Sequence, residues 1–125
     1  MMSTYIIKWP ITSCLGGLSE ETEGTRILDK LVEDIDTTYV RNNIDNIILA
    51  AIISNVSIDY KIDQVYYEED LPCLSGKSTI KIITLRELTA EEEMILTKFF
   101  SMYIIDNLGN WLIIFDSDFY LEKIE

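Results

Sequence analysis

Ile58-Asp59-Tyr60-Lys61-Ile62-Asp63 alternates apolar and charged side chains one by one, while the chain before Asn55 repeats at helical spacing. A period of two over six residues marks a strand with one face on a core and the other in water. The alternation slips at Gln64, after which Val65 and Tyr67 carry the apolar role. One extra residue there predicts a bulge that re-aims the strand without ending it.

Upstream, Ile27, Leu28, Leu31, Val32 and Ile35 share one helical face, and Val40, Ile44, Ile47, Ile48 and Ala51 form a second such face directly after it. These predict two helices meeting as a hairpin, or one long helix bent near Asp36–Thr38. The β-branched and aromatic run Thr4–Trp9 predicts a first strand, stopped or confined to an edge by Pro10. Ser13–Gly17 then forms a loop. Downstream, Glu68–Lys77, with Pro72 and Gly76, is expected to be a loop and Thr79–Leu85 a strand. Thr89-Ala90-Glu91-Glu92 has the spacing of a capping box, starting a helix that carries Met94, Ile95, Phe99 and Met102. Tyr103–Asp106 and Trp111–Asp116 flank Asn107-Leu108-Gly109-Asn110 as a hairpin, unless the first arm is the end of that helix. Phe119–Ile124 adds a short last strand. The sum is one α+β domain over residues 1–125: an antiparallel sheet of four to five strands with two or three helices on one face.

A chain of 125 residues that is 48% hydrophobic and 26% charged is long and apolar enough to bury its own core. Its longest apolar runs, such as Ile47–Ile53, fall far short of the ~20 residues a membrane helix needs. The first residues lack the pattern of a signal peptide, because Lys8 interrupts the apolar stretch. Cys14 and Cys73 allow one bridge at most, and nothing else marks an oxidising compartment. A cytoplasmic location is therefore expected.

The 10 basic and 22 acidic side chains leave a net charge of −12. Residues 63–125 hold 13 of the acids against 5 bases, in short clusters and not as a tail. Such a field disfavours nucleic-acid phosphates and anionic membranes, whose binding depends on Lys and Arg. It favours a basic protein partner, towards which acidic surfaces speed encounter. Ordinary solubility is the plain alternative.

With no histidine in the chain, Ser–His–Asp and Cys–His catalysis is excluded, and so is a closed zinc site built from two cysteines. Ser75-Gly76-Lys77-Ser78-Thr79 ends like a phosphate-binding loop, but Leu71 stands where its first glycine belongs, and a strand is expected to follow instead of a helix. Asp59-Tyr60-Lys61, with Asp45, spells half of a metal-dependent nuclease core, a pattern any solvated strand face also shows. Asp116-Ser117-Asp118 lacks the glycine and distal glutamate of a calcium loop and suits a turn. Glu91-Glu92-Glu93 suits a helix first turn, where the macrodipole favours anions. Cys73, beside Pro72 in the expected loop, is taken as a quiet thiol.

The strongest binding candidate is Tyr66-Tyr67-Glu68-Glu69-Asp70, two aromatics joined to three carboxylates where a strand enters a loop, the mixture that protein interfaces use for anchors. Asp116 and Asp118, with Asp106 and Glu122, would extend it if the last strands lie beside residues 58–67. The profile is that of a small acidic inhibitor without cofactor or metal, such as an immunity protein that covers the active surface of a basic bacterial toxin, most simply a nuclease. A nucleic-acid mimic directed at a defence or restriction enzyme is the second class. A carboxylate-based enzyme or an oligomeric structural subunit is the third.

Overall fold

The computed structural model of the chain describes residues 1–13, 21–109 and 112–125. In chain order the elements are β1 (Ser3–Ser13), α1 (Glu21–Asp34), α2 (Thr37–Asn43), α3 (Ile47–Ile52), β2 (Ile53–Glu68), β3 (Leu71–Thr84), α4 (Ala90–Leu108) and β4 (Tyr120–Lys123). The strands form one antiparallel sheet in the order β2-β3-β1-β4. This is the α+β fold that the patterning predicts, with four α-helices where two or three are expected.

Alternation sorts the side chains of each strand. Tyr5, Ile7, Trp9 and Ile11 of β1, Val56 and Ile58 of β2, and Ile80 and Ile82 of β3 point into the core. Against them pack Leu28, Leu31 and Ile35 from α1 and its exit, Val40, Leu49, and Leu96, Phe100, Ile104 and Leu108 of α4. All helices thus bury their apolar stripes on one face, and Lys8, Asp59, Lys61, Lys77 and Lys81 stand exposed on the other.

β2 is the long edge strand, with register irregularities between Ile53 and Asn55 and between Ile62 and Gln64. The second is the bulge that the slipped alternation predicts. Thr37 at the start of α2 covers the open edge at Val56: its Oγ1 accepts from Val56 N at 2.9 Å and has Asn55 Oδ1 at 3.1 Å and Val56 O at 3.4 Å as acceptors for its one proton. That contact occupies the backbone groups of Val56, one position of an edge on which another strand could pair.

Several expectations are corrected. Residues 71–77 are strand and not loop, because β2 and β3 run on past the bulge to a two-residue turn at Glu69-Asp70. Gly76 belongs to β3 because a Cβ there would sit 2.9 Å from Ile62 Cα and collide with the Lys61 carbonyl oxygen. Pro10 does not end β1; it lies past the last residue β4 pairs, Lys8, where a missing N–H costs little. The second helical pattern breaks in two. Ile44 is extended and Asn46 caps a fresh helix by accepting from Leu49 N, so the phase restarts. Leu49 is buried in consequence, while Ile47 and Ile48 are exposed.

Tyr103–Asp106 is the end of α4, the alternative the sequence left open, and not the arm of a hairpin; after Leu112, one backbone bond from Ile113 N to Thr12 O ties the return segment to β1. On α4 the core stripe runs Leu96, Phe100, Ile104, Leu108, which leaves Met94 and Met102 exposed. Cys73 is buried in β3 and disulfide-bonded, not a loop thiol. Cys14, Gly16-Gly17, Asn110 and Trp111 lie outside the described residues.

Candidate functional site

Glu69 and Asp70, at φ 48° and 67°, are the non-glycine residues with positive φ among the described ones. They are the central pair of a two-residue hairpin turn, where a right-twisted ladder favours left-handed residues and the sequence usually supplies Asn-Gly. Glutamate is unfavourable at the first of these positions, while aspartate is among the residues that tolerate the second. The turn projects Glu68, Glu69 and Asp70, all exposed, past the end of the sheet, with Tyr67 75% exposed and Tyr66 half-buried beside them. Tyr67 and Glu68 still pair with Pro72 and Leu71, so the tip is held by the ladder.

Asp116 and Asp118 do not join this tip. They form a single 3-10 turn on the β4 side of β1, with two strands between them and β2. Both carboxylates have structural work there: Ser101 Oγ donates to Asp116 Oδ1 at 2.9 Å, and Phe115 N donates to Asp118 Oδ2 at 2.9 Å. Asp106 lies on the exposed side of α4, and Glu122 opposite Ile6 on β4. The acidic residues picked from the sequence therefore occupy separate regions.

Glu92 of the acidic triplet is almost fully buried. Its carboxylate accepts from Arg86 Nη1 at 2.8 Å and Nη2 at 2.9 Å, and from Thr89 N at 2.9 Å, while its own N–H donates to Thr89 Oγ1 at 3.1 Å. The capping box is thus complete and carries a two-pronged ion pair as well. The Arg86 guanidinium, aided by the Thr89 amide, holds this carboxyl at about 2 against burial, which pushes the other way. Leu88 N donates to the buried Tyr5 hydroxyl at 2.8 Å, tying the same helix end to β1. Elsewhere, burial and a 2.6 Å hydrogen bond from its hydroxyl to Asp29 push Tyr60 up to about 12.

Two features escape a reading of the sequence. A groove of about 770 Å³ runs between α4 and the 116–121 segment, with Met94, Met102, Ile105 and Tyr120 among its walls. The strict four-residue spacing of Leu96, Phe100, Ile104 and Leu108 is the signal that would have moved the two methionines off the core side. The other is the segregation of lysines on the open sheet face, which depends on cross-strand register and has no signature in any one segment.

No group of three or more His, Cys, Asp or Glu side chains suited to a metal ion occurs among the described residues, and no helix there is long and apolar enough to cross a membrane. No family model, curated protein or solved structure matches the chain.

Proposed function

We propose that this chain is a binding protein that neutralises a basic partner, acting as an immunity-type inhibitor that covers the active surface of a toxin, most simply a nuclease. The observation that carries the reading is the β2–β3 tip, where a turn at positive φ holds three carboxylates out with an exposed tyrosine. Glu68, Glu69 and Asp70 would pair with Lys and Arg side chains that otherwise grip phosphates, and Tyr67 would be the anchor that loses its water. Burying such an anchor at the centre of an interface contributes ~2–4 kcal/mol, and the exposed rim far less. The net charge of −12 adds long-range attraction and a faster encounter.

A nucleic-acid mimic is less well supported, since the open sheet face carries Lys8, Lys61, Lys77 and Lys81 in place of a regular row of carboxylates.

The test is paired affinity capture from the source cells at about 0.15 M salt, a concentration that leaves close ion pairs intact. One bait is the native chain and the other carries Glu68→Lys, Glu69→Lys and Asp70→Lys. A basic protein held one-to-one by the first bait, lost by the second and inhibited by the native chain supports the reading. Equal retention on both baits, or no basic protein on either, overturns it.

A further inference from the structure

We propose that the helix-free face of the sheet holds a binding site for a small phosphomonoester, seated in the cleft lined by Lys8, Pro10, Lys77, Thr79 and Tyr120. The site lies apart from the hairpin tip and goes beyond the partner-docking reading. It rests first on register. Lys8 stands opposite Thr79, Pro10 opposite Lys77, and Ile6 opposite Lys81, while Lys61 faces Lys77 from the other side. Diagonal neighbours on one sheet face are ~7–8 Å apart, so Lys8 lies within reach of both Lys77 and Lys81. Four of the chain's 10 basic residues thus share a face. Among the described residues, no ion pair or hydrogen bond engages any of the four side chains. By contrast Lys30, Arg86 and Lys123 pair with Asp34, Glu92 and Glu87.

Lys61 and Lys77 are directly opposed, an arrangement that destabilises a sheet unless an anion offsets it. The anions nearest this set are Asp59, opposite Thr79, Glu122, opposite Ile6, and Asp118 in the cleft itself, and among the described residues none of them is ion-paired with these lysines. The second observation is the cleft. It encloses about 390 Å³, the size of a small-ligand pocket, and Asp118, Ser78 and Trp9 complete its lining.

The chemistry of the walls selects the ligand. Two ammonium groups flanking one position suit a dianion better than a single charge, and each offers three donors. The Thr79 hydroxyl supplies a neutral donor. Pro10 and the Tyr120 ring, 61% exposed, give an apolar wall for the organic body of the ligand. Asp118, with one oxygen held by Phe115 N, keeps the other for a ligand hydroxyl or amine. The chain's overall negative charge does not override this, because repulsion between exposed charges fades over ~8 Å at physiological salt. Lys77 and Thr79 come from the segment spelled like a phosphate-binding loop, but here they act as strand side chains and no helix amide takes part.

The experiment is an NMR titration of the ¹⁵N-labelled full chain at constant ionic strength with adenosine monophosphate, inorganic phosphate and acetate. Expected are saturable shifts at residues 8–10, 77–79 and 118–120 with the nucleotide, weaker ones with phosphate, and none with acetate. Losing two charge-assisted contacts in the Lys8→Ala/Lys77→Ala variant should weaken nucleotide binding by about tenfold or more, with Lys30→Ala unchanged. The Lys8→Gln/Lys77→Gln pair repeats the test with side-chain length kept, and each variant's own spectrum reports its fold. No saturable shift with the nucleotide, equal shifts from acetate, or undiminished binding in folded double variants overturns the proposal.

Discussion

Replacing Glu92 with Gln tests how the N-terminus of α4 is fixed to the sheet. The substitution keeps size and an oxygen for the Thr89 amide but removes the charge that Arg86 grips with two nitrogens at 2.8 and 2.9 Å. The carboxyl is lowered from 4.5 to about 2, and at ~1.4 kcal/mol per pH unit that displacement caps the charge contribution near 3 kcal/mol. Arg86 is 44% exposed, so water screens part of the pair, leaving about 1–2 kcal/mol. The folded value lies below the unfolded one, so the contribution is complete above about pH 4.5 and disappears as the pH falls towards 2. Urea unfolding of the native chain and Glu92→Gln, from pH 7 down to pH 2, provides the measurement. The stability gap should hold near its full value down to about pH 5 and close below it. Using the gap removes the background of the other 21 acids, which both chains share. No gap at neutral pH, or one that ignores pH, would refute the reasoning.

Gly76→Ala should cost about 2–4 kcal/mol, because the new methyl meets the Lys61 backbone and must push β2 and β3 apart at the bulge; a thermal or urea melt close to the native one would contradict this. Glu69→Asn with Asp70→Gly should stabilise the fold by about 0.5–1 kcal/mol, since these residues suit positive φ, while weakening capture of the basic partner. Tyr60 should ionise near 12 and fall towards the usual 10 in Asp29→Asn, read as the difference in tyrosinate absorbance from the corresponding Tyr60→Phe chains. Because its neutral form is favoured in the fold, Tyr60 should contribute stability below pH 10 that is lost as the pH rises through 12. Paired alkaline melts of the native chain and Tyr60→Phe check that sign.

Where one side chain's neighbours are its own chain neighbours, the sequence was decisive by itself. The capping box at Thr89 and Glu92, the α1 face of Leu28, Leu31 and Ile35, the alternation of residues 58–62 and the bulge beyond it all rest on periods of 3.6 or 2 and on hydrogen bonds three residues long. The acid-and-tyrosine stretch at 66–70 was equally visible as a candidate, though its placement on a tight turn was not. What a segment meets across the fold was decided by tertiary structure alone. Pro72 and Gly76 read as breakers until β2 is laid beside them, and then the close approach of Lys61 makes glycine the residue that fits a strand. Met94, Met102, Ile47 and Ile48 are as apolar as their buried neighbours; the stripe of Leu96, Phe100, Ile104 and Leu108 and the fresh start of α3 at Asn46 turn them to water once the helices settle on the sheet. Arg86 finding Glu92, Asp116 finding Ser101 and four lysines gathering on one face depend on loop closure and strand register. Those are set by the packing of the whole core, and no local period encodes them.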